Sequence, residues 1–223
     1  GMNVLVTAGG TEEPIDGVRF LGNRSTGSTG RAIAAHFADR GASVTMLHAE
    51  RVPVVDLRLT AAPYRTFDEL AGLLKQHLAE TSFDAVIHLA AVSDYRLAAI
   101  ELNGRTLTPG RRGKLGSGHE LVLRLTPNPK LIDGLRAWSQ NPYLQVVGFK
   151  LTDTGDLSER HAAVKTLLDR GVSDFVVHND IGEIRDGRHP AVIHAASGVV
   201  SSTPDKNELA AALYALLATG VPA

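Results

Sequence analysis

The sequence predicts an α/β protein in which helices cover both faces of a mostly parallel sheet, giving three layers. Two observations carry this prediction. Short apolar segments rich in β-branched residues alternate along the chain with longer segments of helical periodicity. In addition, the 223 residues are 43% hydrophobic and 21% charged, which is typical of an ordinary globular domain. We therefore expect one domain over residues 1–223, with an inserted β segment at about 98–126.

The first half of the chain contains three strands and two helices in alternation. The strands are predicted at Asn3–Thr7, Ser43–Leu47 and Asp84–Leu89, where apolar residues run together. A helix is predicted at Gly30–Arg40, because apolar residues recur at helical spacing and a glycine follows its end. A second helix is predicted at Phe67–Ala79, where leucines share one face.

The second half begins with the inserted segment, Ala98–Leu125, which has strand-like pieces, a basic loop and no helical pattern. Apolar residues exposed on this segment would favour a dimer. The alternation then resumes, and Ser197 and Gly198 signal a C-terminal β-hairpin. The predicted elements are helices at Pro129–Trp138, Leu157–Asp169 and Asp205–Leu217, strands at Leu144–Phe149 and Asp174–Val177, and hairpin strands at Ala191–Ala195 and Val199–Ser202.

Charge and composition argue against several classes of protein. Lys and Arg total 23 against 24 Asp and Glu, so neither nucleic acid nor a membrane surface is an expected partner. There are no cysteines, which excludes disulfides, thiol catalysis and cysteine-ligated metals. The histidines form no H-x-x-x-H pair, so no dedicated metal site is expected. We recognise no secretory leader and no membrane span, so a cytoplasmic location is expected.

Glycines follow the first predicted strand at Gly9 and Gly10, with Thr11 directly after them. A glycine pair at this point lets the backbone approach a phosphate. A tight turn without any ligand explains the same residues equally well.

Polar residues after the third predicted strand also have two possible interpretations. Asp94 could accept hydrogen bonds from a ribose or base, or it could cap a turn.

A long loop, residues 12–27, separates the glycine turn from the first helix. Loops of this length in compact domains are often functional. Its last residues combine hydroxyl groups with glycine: Ser25, Thr26 and Gly27. Backbone N–H groups at such a helix entry would point at an anion, although simple N-capping is the alternative. Arg19 and Arg24 in the same loop favour anion binding.

Two familiar phosphate-binding motifs do not fit this loop. Gly22 and Gly27 have the spacing of a P-loop, but Ser28 occupies the position of the essential lysine. A dinucleotide fingerprint should open the first helix directly after the first strand, and here the long loop intervenes.

A basic cluster in the inserted segment contains Arg105, Arg111, Arg112 and Lys114. Such a run is usually a solvated loop, and the sharper interpretation is a mobile loop that closes over polyphosphate.

These motifs together resemble those of the phosphopantothenate–cysteine ligases of coenzyme A biosynthesis, in their stand-alone bacterial form. The matching stretches are Thr7–Asp16, Val18–Gly27, Ala90–Tyr95, Gly113–Ser117, Asn128–Lys130, Val147–Phe149 and Asn179–Asp180, in the family's order. They extend over nearly the whole chain. The resemblance implies a Rossmann-like fold, a homodimer, and a nucleoside triphosphate as co-substrate, with CTP favoured over ATP. It also implies Mg²⁺ held mainly by the nucleotide phosphates.

The resemblance implies roles for individual residues as well. In the family, the carboxylate of phosphopantothenate attacks the α-phosphate, and the amine of cysteine then displaces the nucleotide. The catalytic residues would be Lys114, which stabilises charge on the triphosphate, Asn23, which serves the second step, and Arg19, which places the loop or the substrate phosphate. The nucleotide-binding residues would be Gly9, Gly10, Thr11, Ser25, Thr26, Gly27, Ala90, Asp94 and Phe149. Arg24 and Asn179 would bind the other substrates.

The chain departs from the family pattern in several places, one of which is His189-Pro190, where many members have Asn-Glu before the hairpin strand. Leu115 and Gly116 follow Lys114 where the longer motif continues with lysines, and Ser28 stands where many members carry lysine. Many bacterial members are fused behind a flavin-binding decarboxylase, so here we expect that decarboxylase as a separate partner. Two alternatives stay open. An NAD(P)-dependent reductase of Rossmann type is suggested by Glu50 after the second strand, and a non-catalytic nucleotide-binding protein is the other.

Overall fold

The structure of the chain is a computed structural model that describes residues 1–221. The strands are β1 (Asn3–Ala8), β2 (Glu12–Pro14), β3 (Phe20–Gly22), β4 (Ser43–Ala49), β5 (Thr60–Tyr64), β6 (Ala85–His88), β7 (Tyr95–Leu102), β8 (Arg105–Leu107), β9 (Leu121–Pro127), β10 (Gln145–Thr152), β11 (Phe175–Asp180), β12 (Ala191–Ala195) and β13 (Gly198–Thr203). The helices are α1 (Ser28–Asp39), α2 (Phe67–Glu80), α3 (Leu135–Trp138), α4 (Leu157–Asp169) and α5 (Lys206–Thr219), with 3₁₀ turns at Leu131–Asp133 and Ile181–Glu183. None of the helices within residues 1–221 is both long enough and apolar enough to cross a membrane.

An eight-stranded sheet forms the centre of the molecule, in the spatial order β13-β12-β11-β10-β6-β1-β4-β5. The strands from β11 to β5 pair in parallel, whereas β12 and β13 pair antiparallel as a C-terminal hairpin. The predicted α/β class with a mostly parallel sheet is therefore confirmed. The chain builds outward from β1 to β4 and β5, then returns to place β6 on the other side of β1. Ligands of such sheets bind beyond the carboxyl ends of the strands, where the strand order reverses.

Alternating side chains of the central strands fill two separate cores, one on each face of the sheet. Val4 and Val6 of β1 point to the face covered by α1 and α5, where Phe37 and Leu213 are fully buried. Leu5, between them in sequence, belongs to the core beneath α2 and α3. This alternation is the period-two geometry of a strand. Burial of each large apolar side chain contributes about 1.5–3 kcal/mol, which holds the three layers together.

The inserted segment forms its own three-stranded antiparallel sheet, in the order β8-β7-β9. The sheet runs from Tyr95 to Pro127, so it begins slightly earlier and ends slightly later than the pattern predicts. Leu115 and Ile100 of this region are buried in a small core with Ile15, which comes from the loop after β1. The insertion is therefore anchored to the long loop that precedes α1.

The prediction of one continuous helix at Pro129–Trp138 is wrong. The chain instead forms a 3₁₀ turn, closed by a hydrogen bond of 3.0 Å from the N–H of Gly134 to the carbonyl oxygen of Leu131, and then the short α3. The ring of Trp138 packs so closely over Gly134 that a side chain there would collide with it. Glycine is also a weak helix former, so the helix divides at this residue.

The hydrophobic pattern also misses three strands. β5 (Thr60–Tyr64) lies at the edge of the sheet and contains two alanines and Pro63, so Thr60 is its single β-branched residue and hydrophobic alternation is absent. Proline is tolerated there because an edge strand has no partner on one side. β2 and β3 are only three residues long and form a hairpin inside the loop at residues 12–27. Strands this short carry too little periodicity to detect.

Candidate active site

A cleft of about 990 Å³ opens beyond the carboxyl ends of β6 and β10, beside the point where the strand order reverses. Its walls come from the loop before α1, the segment after β6, the end of β10 and one face of α4. Several predicted site residues line it: Asn23, Arg24, Ser25, Ala90, Asp94, Phe149 and Asn179. A cleft of this size suits a nucleotide together with a second small molecule.

A buried histidine, His88, lines the cleft at the end of β6. The hydroxyl of Thr7 lies 2.9 Å from His88 Nδ1 and accepts a hydrogen bond of 3.0 Å from the N–H of Ala90. Donation from this hydroxyl to Nδ1 satisfies both groups and leaves the ring proton on Nε2. Burial lowers the pKa of His88 to about 4, so the imidazole is neutral near pH 7.

Gly9, Gly10 and Thr11 lie outside the lining of the cleft and brace the loops that form it. The buried hydroxyl of Thr11 accepts a hydrogen bond of 2.8 Å from the N–H of Ser93. A Cβ atom at Gly10 would stand 2.8 Å from the backbone oxygen of Asn23, so only glycine allows this close approach. These residues therefore fix Asn23 and the segment after β6 in position.

Helix α1 begins at the cleft with a glycine as its N-cap. Gly27 has a φ of 70° and offers no capping oxygen, while the hydroxyl of Thr26 accepts a weak bond of 3.3 Å from the N–H of Ser28. Thr26 and Gly27 themselves do not line the cleft. Lys206 reaches across from α5, and its Nζ lies 2.6 Å from Ser28 Oγ. A helix N-terminus beside an ammonium group is an environment that favours an anion.

Asp94 is exposed at the cleft and pairs with Lys130. The ammonium and carboxylate lie 2.5 Å apart, and the two side chains are 53% and 67% exposed. An exposed pair of this kind contributes about 0–1 kcal/mol, so a ligand hydroxyl can replace the ammonium at little cost. The segment behind them is held by Asn128, whose amide donates to the carbonyl oxygen of Ser93 at 3.0 Å.

Asn179 and His189 meet at the opposite end of the cleft. The amide of Asn179 donates to Nε2 of His189 at 2.7 Å. Burial, and then the nearby charge of Lys206, lowers the pKa of His189, so the ring is neutral near pH 7. Lys150 and Arg24 add positive charge to the lining. The cleft thus combines neutral imidazoles with several cations, which suits a phosphorylated ligand.

Arg19, predicted to act in catalysis or to bind phosphate, does not line the cleft. Its guanidinium donates to the carboxylate of Asp16 from Nη2 at 2.7 Å and from Nε at 3.1 Å. Nη2 also donates to the carbonyl oxygen of Leu115 at 3.0 Å. These donors are engaged within the protein, so Arg19 links two loops of the chain. The sequence suggests instead that Arg19 contacts the substrate.

Lys114 lies in a separate basic pocket of about 410 Å³ on the inserted sheet. The pocket shares its cations with the cluster found in the sequence: Arg105, Arg111, Arg112 and Lys114. No Asp or Glu belongs to the lining of this pocket in the part of the chain that the structure describes. Concentrated positive charge of this kind attracts polyanions. Within one chain, Lys114, which is predicted to act on the triphosphate, therefore lies on a different surface from the cleft.

The donor groups of the cleft suit a phosphate-bound cation better than a protein-bound one. Over residues 1–221, no group of three or more His, Asp or Glu side chains is arranged to hold a metal ion. Asp94 is the one carboxylate among the residues that line the cleft. Mg²⁺ in nucleotide sites is commonly held by one or two carboxylates together with substrate phosphates. The residues present therefore fit Mg²⁺ that arrives with a nucleotide.

Three side chains of this site had no predicted role: His88, Lys130 and Lys206. His88 ends a buried strand at the carboxyl edge of the sheet, which is a position where polar residues often serve ligands. Lys130 is the last residue of the matched stretch Asn128–Lys130, so the sequence pointed to this segment without assigning the lysine a role. Lys206 and Ser28 are 178 residues apart in sequence, and no local pattern reveals their contact.

Comparison with known proteins adds an independent observation. A family model described as the DNA/pantothenate metabolism flavoprotein C-terminal domain matches residues 1–220. The coenzyme A biosynthesis bifunctional protein CoaBC of Thermococcus kodakarensis is 37% identical over 183 residues, which is 81% of this chain and 42% of that protein. The chain thus spans less than half the length of this relative.

Solved structures agree with the fold. The DNA/pantothenate metabolism flavoprotein from Streptococcus pneumoniae superimposes with a TM-score of 0.85 at 24% identity, covering 98% of this chain and 99% of that chain. A mutant of Cab2 in complex with phosphopantothenate-cysteine superimposes with a TM-score of 0.78 at 19% identity, covering 98% of this chain and 87% of that chain. At these identities the likeness establishes the fold alone.

Proposed function

The chain belongs to the DNA/pantothenate metabolism flavoprotein C-terminal domain family, and on this premise we propose that it is a phosphopantothenate–cysteine ligase of coenzyme A biosynthesis. The observation that carries the proposal is a cleft at the switch point of the sheet, lined by motif residues Asn23, Ala90 and Asp94, in a chain that matches the family over residues 1–220. The name of the CoaBC relative and the ligand bound to Cab2 support this choice of reaction.

The reaction would join the carboxylate of phosphopantothenate to the amine of cysteine in two steps. In the first step, a carboxylate oxygen attacks the α-phosphorus of a nucleoside triphosphate, and pyrophosphate leaves with the electrons of the broken P–O bond. In the second step, the amine nitrogen attacks the acyl carbon, the nucleoside monophosphate leaves, and the nitrogen loses a proton. We propose CTP, in preference to ATP, as the triphosphate.

The nucleoside would lie against the segment that follows β6. Ala90 leaves room for a planar base, and Phe149 on the neighbouring strand offers an apolar surface. Asp94 would accept a hydrogen bond from a ribose hydroxyl, because its exposed contact with Lys130 opens at little cost. The neutral ring of His88 would serve as a hydrogen-bond donor through Nε2.

The phosphates would lie towards the start of α1. The N-terminus of α1 would turn the positive end of the helix dipole towards them, and Lys206 beside Ser28 would add an ammonium. Because Lys114 lies outside the cleft of its own chain, it would act in the proposed homodimer at the cleft of the partner subunit, where it would stabilise the charge that develops as the α-phosphate is attacked. Mg²⁺ held by the phosphates would neutralise part of their charge and polarise the reacting phosphate.

The second step would depend on Asn23. Its side chain lines the cleft between the helix entry and the segment after β6, where an amide N–H could hold the acyl carbonyl oxygen. Arg24 and Asn179 would bind phosphopantothenate or cysteine, and their position in the lining of the same cleft supports this role. Arg24 provides a charge for the phosphate or a carboxylate, and Asn179 provides an amide that is oriented by His189.

We also propose that the ligase is a homodimer and that its product passes to a flavin-dependent decarboxylase. The exposed apolar residues of the inserted sheet support the first proposal. The bifunctional name of the CoaBC relative supports a functional link between two activities, of which this domain would supply one.

A direct assay tests the proposed function. The protein is incubated with phosphopantothenate, cysteine, Mg²⁺ and either CTP or ATP, and the products are measured by mass spectrometry. We expect phosphopantothenoylcysteine, pyrophosphate and CMP in equal amounts, with a slower reaction from ATP. Consumption of neither triphosphate by the folded protein would contradict the proposal.

A pair of matched variants ties that activity to the cleft. Asp94→Asn should raise the KM for the nucleotide about tenfold, because the charge-assisted hydrogen bond from a ribose hydroxyl to the carboxylate is replaced by a weaker bond to a neutral amide oxygen. Asp68 forms an equally exposed pair with Arg96 at 2.6 Å, outside the lining of the cleft. Asp68→Asn should therefore leave the KM unchanged. A similar change in both variants would place the nucleotide elsewhere.

A further inference from the structure

A buried carboxylate joins the two loops that carry Arg19 and Lys114. The side chain of Asp16 is fully buried, in the turn after β2. Its Oδ1 accepts hydrogen bonds from the N–H groups of Val18 at 2.9 Å and Arg19 at 2.8 Å. Its Oδ2 accepts from the N–H of Leu115 at 2.9 Å and from the Arg19 guanidinium at 2.7 Å. Two loops that lie 99 residues apart in sequence therefore meet at one group.

The backbone is held on both sides of Lys114. On the N-terminal side, the N–H of Gly17 donates to the carbonyl oxygen of Gly113 at 2.7 Å. On the C-terminal side, the carbonyl oxygen of Leu115 accepts from Arg19 Nη2 at 3.0 Å, in addition to the bond from its N–H to the carboxylate. The side chain of Leu115 is buried in the small core of the insertion. The side chain of Lys114 is exposed, so a fixed segment presents its ammonium to solvent.

We propose that Asp16 is a positioning residue, which sets the place of the Lys114 ammonium by clamping the Gly113–Leu115 segment to the loop after β1. This inference rests on the proposed function, because it takes Lys114 as the residue that stabilises the triphosphate in the first step. The Gly113–Leu115 segment and the loop at residues 12–27, which contains Asn23, then act as one unit. This replaces the expectation of a loop that moves freely over polyphosphate.

The clamp requires the charged form of Asp16. The guanidinium of Arg19, and then the N–H of Leu115, hold the pKa of Asp16 well below its usual range, so the carboxylate is ionised near pH 7. Every hydrogen-bonding group that contacts it is an N–H donor. A carboxamide of the same size would turn its own N–H groups towards at least one of these donors. Asp16→Asn therefore opens the clamp without changing the volume of the side chain.

Limited digestion of the intact protein with trypsin tests the clamp without reference to activity. Trypsin cleaves after Lys114, and the bond that it must reach is the one held through the N–H of Leu115. Cleavage at this bond should be at least about tenfold faster in Asp16→Asn. The matched control is Asp56→Asn, which breaks a carboxylate–arginine pair of 2.7 Å with Arg58 in an exposed loop. Equal cleavage rates in the two variants would overturn the clamp.

A double-mutant comparison tests whether Asp16 acts through Lys114. Asp16→Asn alone should slow pyrophosphate release about tenfold, with little change in the KM for the nucleotide. In the Lys114→Gln background it should slow release by less than about twofold further, because no ammonium is left to position. Fully additive effects would overturn the positioning role. If the unmodified protein releases no pyrophosphate, the proposed function fails, and the digestion alone still decides whether Asp16 holds the loop.

A second variant keeps the test decisive if Asp16→Asn does not fold, which its thermal unfolding curve reveals. Arg19→Lys keeps a cation beside Asp16 but loses the bond to the carbonyl oxygen of Leu115. Cleavage after Lys114 should then rise about threefold to tenfold. Cleavage at the unmodified rate in Arg19→Lys would count against the clamp.

Discussion

Asn23 is held in place by its backbone more than by its side chain. Its carbonyl oxygen lies against Gly10, where any Cβ atom would intrude, and the next residue of the glycine turn is tied to the segment after β6. The side chain of Asn23 thereby lines the cleft, and its amide has no hydrogen-bond partner among residues 1–221. Such preorganised donors are effective because they need no rearrangement when charge develops on a reacting carbonyl.

Asn23→Asp should separate the two steps of the reaction. We expect pyrophosphate to be released near the normal rate, while formation of the amide falls at least about a hundredfold, because a carboxylate cannot donate to the acyl carbonyl. Mass spectrometry of the variant should detect the accumulated acyl nucleotide. An equal loss of pyrophosphate release would remove Asn23 from the second step.

Lys114→Gln should show the opposite pattern. We expect pyrophosphate release to slow about a hundredfold, since the developing charge on the triphosphate loses its cation. The readout is single-turnover pyrophosphate formation. Lys165→Gln is the control, because Lys165 is an exposed lysine of α4 paired with Asp169 at 2.5 Å. If both substitutions slow pyrophosphate release by the same small factor, the effect comes from the net charge of the protein, and Lys114 has no specific role in the first step.

At the scale of elements, prediction succeeded where the periodicity was long and the ends were marked. Helix α2 is an example, because the hydroxyl of Thr66 caps it by accepting from the N–H of Glu69 at 3.2 Å. Prediction failed at α3, where packing of Trp138 over Gly134 overrides the helical pattern, and at β5, which has small residues and an edge position. The competing forces in both cases are tertiary contacts, which a local window does not contain.

The same distinction separates the predicted from the unpredicted site residues. Residues that directly follow strands, such as Ala90 and Asp94, were found because parallel strands end at one edge. Arg19 was placed in the site by its charge, whereas the buried partner Asp16 turns its guanidinium inward. Lys206 comes from the last helix and reaches α1 only after the sheet is assembled. The spacing of residues along the sequence does not predict a contact between residues that are 178 positions apart.

The ends of β10 and β11 are joined by the buried carboxylate of Asp180. It accepts hydrogen bonds from the hydroxyl of Thr152 at 2.6 Å, the N–H of Thr154 at 3.0 Å and the N–H of Gly182 at 2.9 Å. The bond from Thr152 is the largest of the causes that lower the pKa of Asp180 to about 2. A carboxyl with a lowered pKa contributes stability above its unfolded pKa of ~3.9, and this stability is lost as the pH falls through the folded pKa.

Asp180→Asn should therefore change the acid dependence of stability. In the unmodified protein, part of the free energy of unfolding is lost between about pH 4 and pH 2, because the folded state must protonate Asp180 there. The variant should be less stable at pH 7 and should lose less stability over that interval. Urea unfolding at a series of pH values measures both effects. Asp169→Asn on the exposed face of α4 is the control, and matching curves for the two variants would contradict this account.

At the scale of the whole molecule, the inserted sheet carries exposed apolar residues on both of its faces, with Tyr95 and Leu125 on one face and Val122 on the other. Val122 and Leu125 of β9 are 42% and 43% exposed, and Tyr95 of β7 is 53% exposed. Exposed apolar residues that share one small sheet favour association. This agrees with the proposed homodimer, in which an isologous contact would pair identical surfaces.

Val122→Glu should halve the mass of the particle in solution if the inserted sheet forms the dimer contact. The expected reason is that a buried charge without a partner strongly opposes association. Light scattering during size-exclusion chromatography measures the mass directly. Val55→Glu, at an exposed residue of the loop after β4, is the matched control and should leave the mass unchanged. A monomeric unmodified protein would contradict the proposed dimer.

The central claim is that the carboxylate of phosphopantothenate attacks the α-phosphate of the nucleotide, and the fate of its oxygen tests this most directly. Phosphopantothenate carrying a heavy-oxygen label in the carboxylate is allowed to react with cysteine and CTP, and each product is analysed by mass spectrometry. We predict that one labelled oxygen appears in CMP, none in pyrophosphate, and that the amide retains one label. Label in inorganic phosphate, with CDP as the nucleotide product, would show attack at the γ-phosphate and would contradict the account.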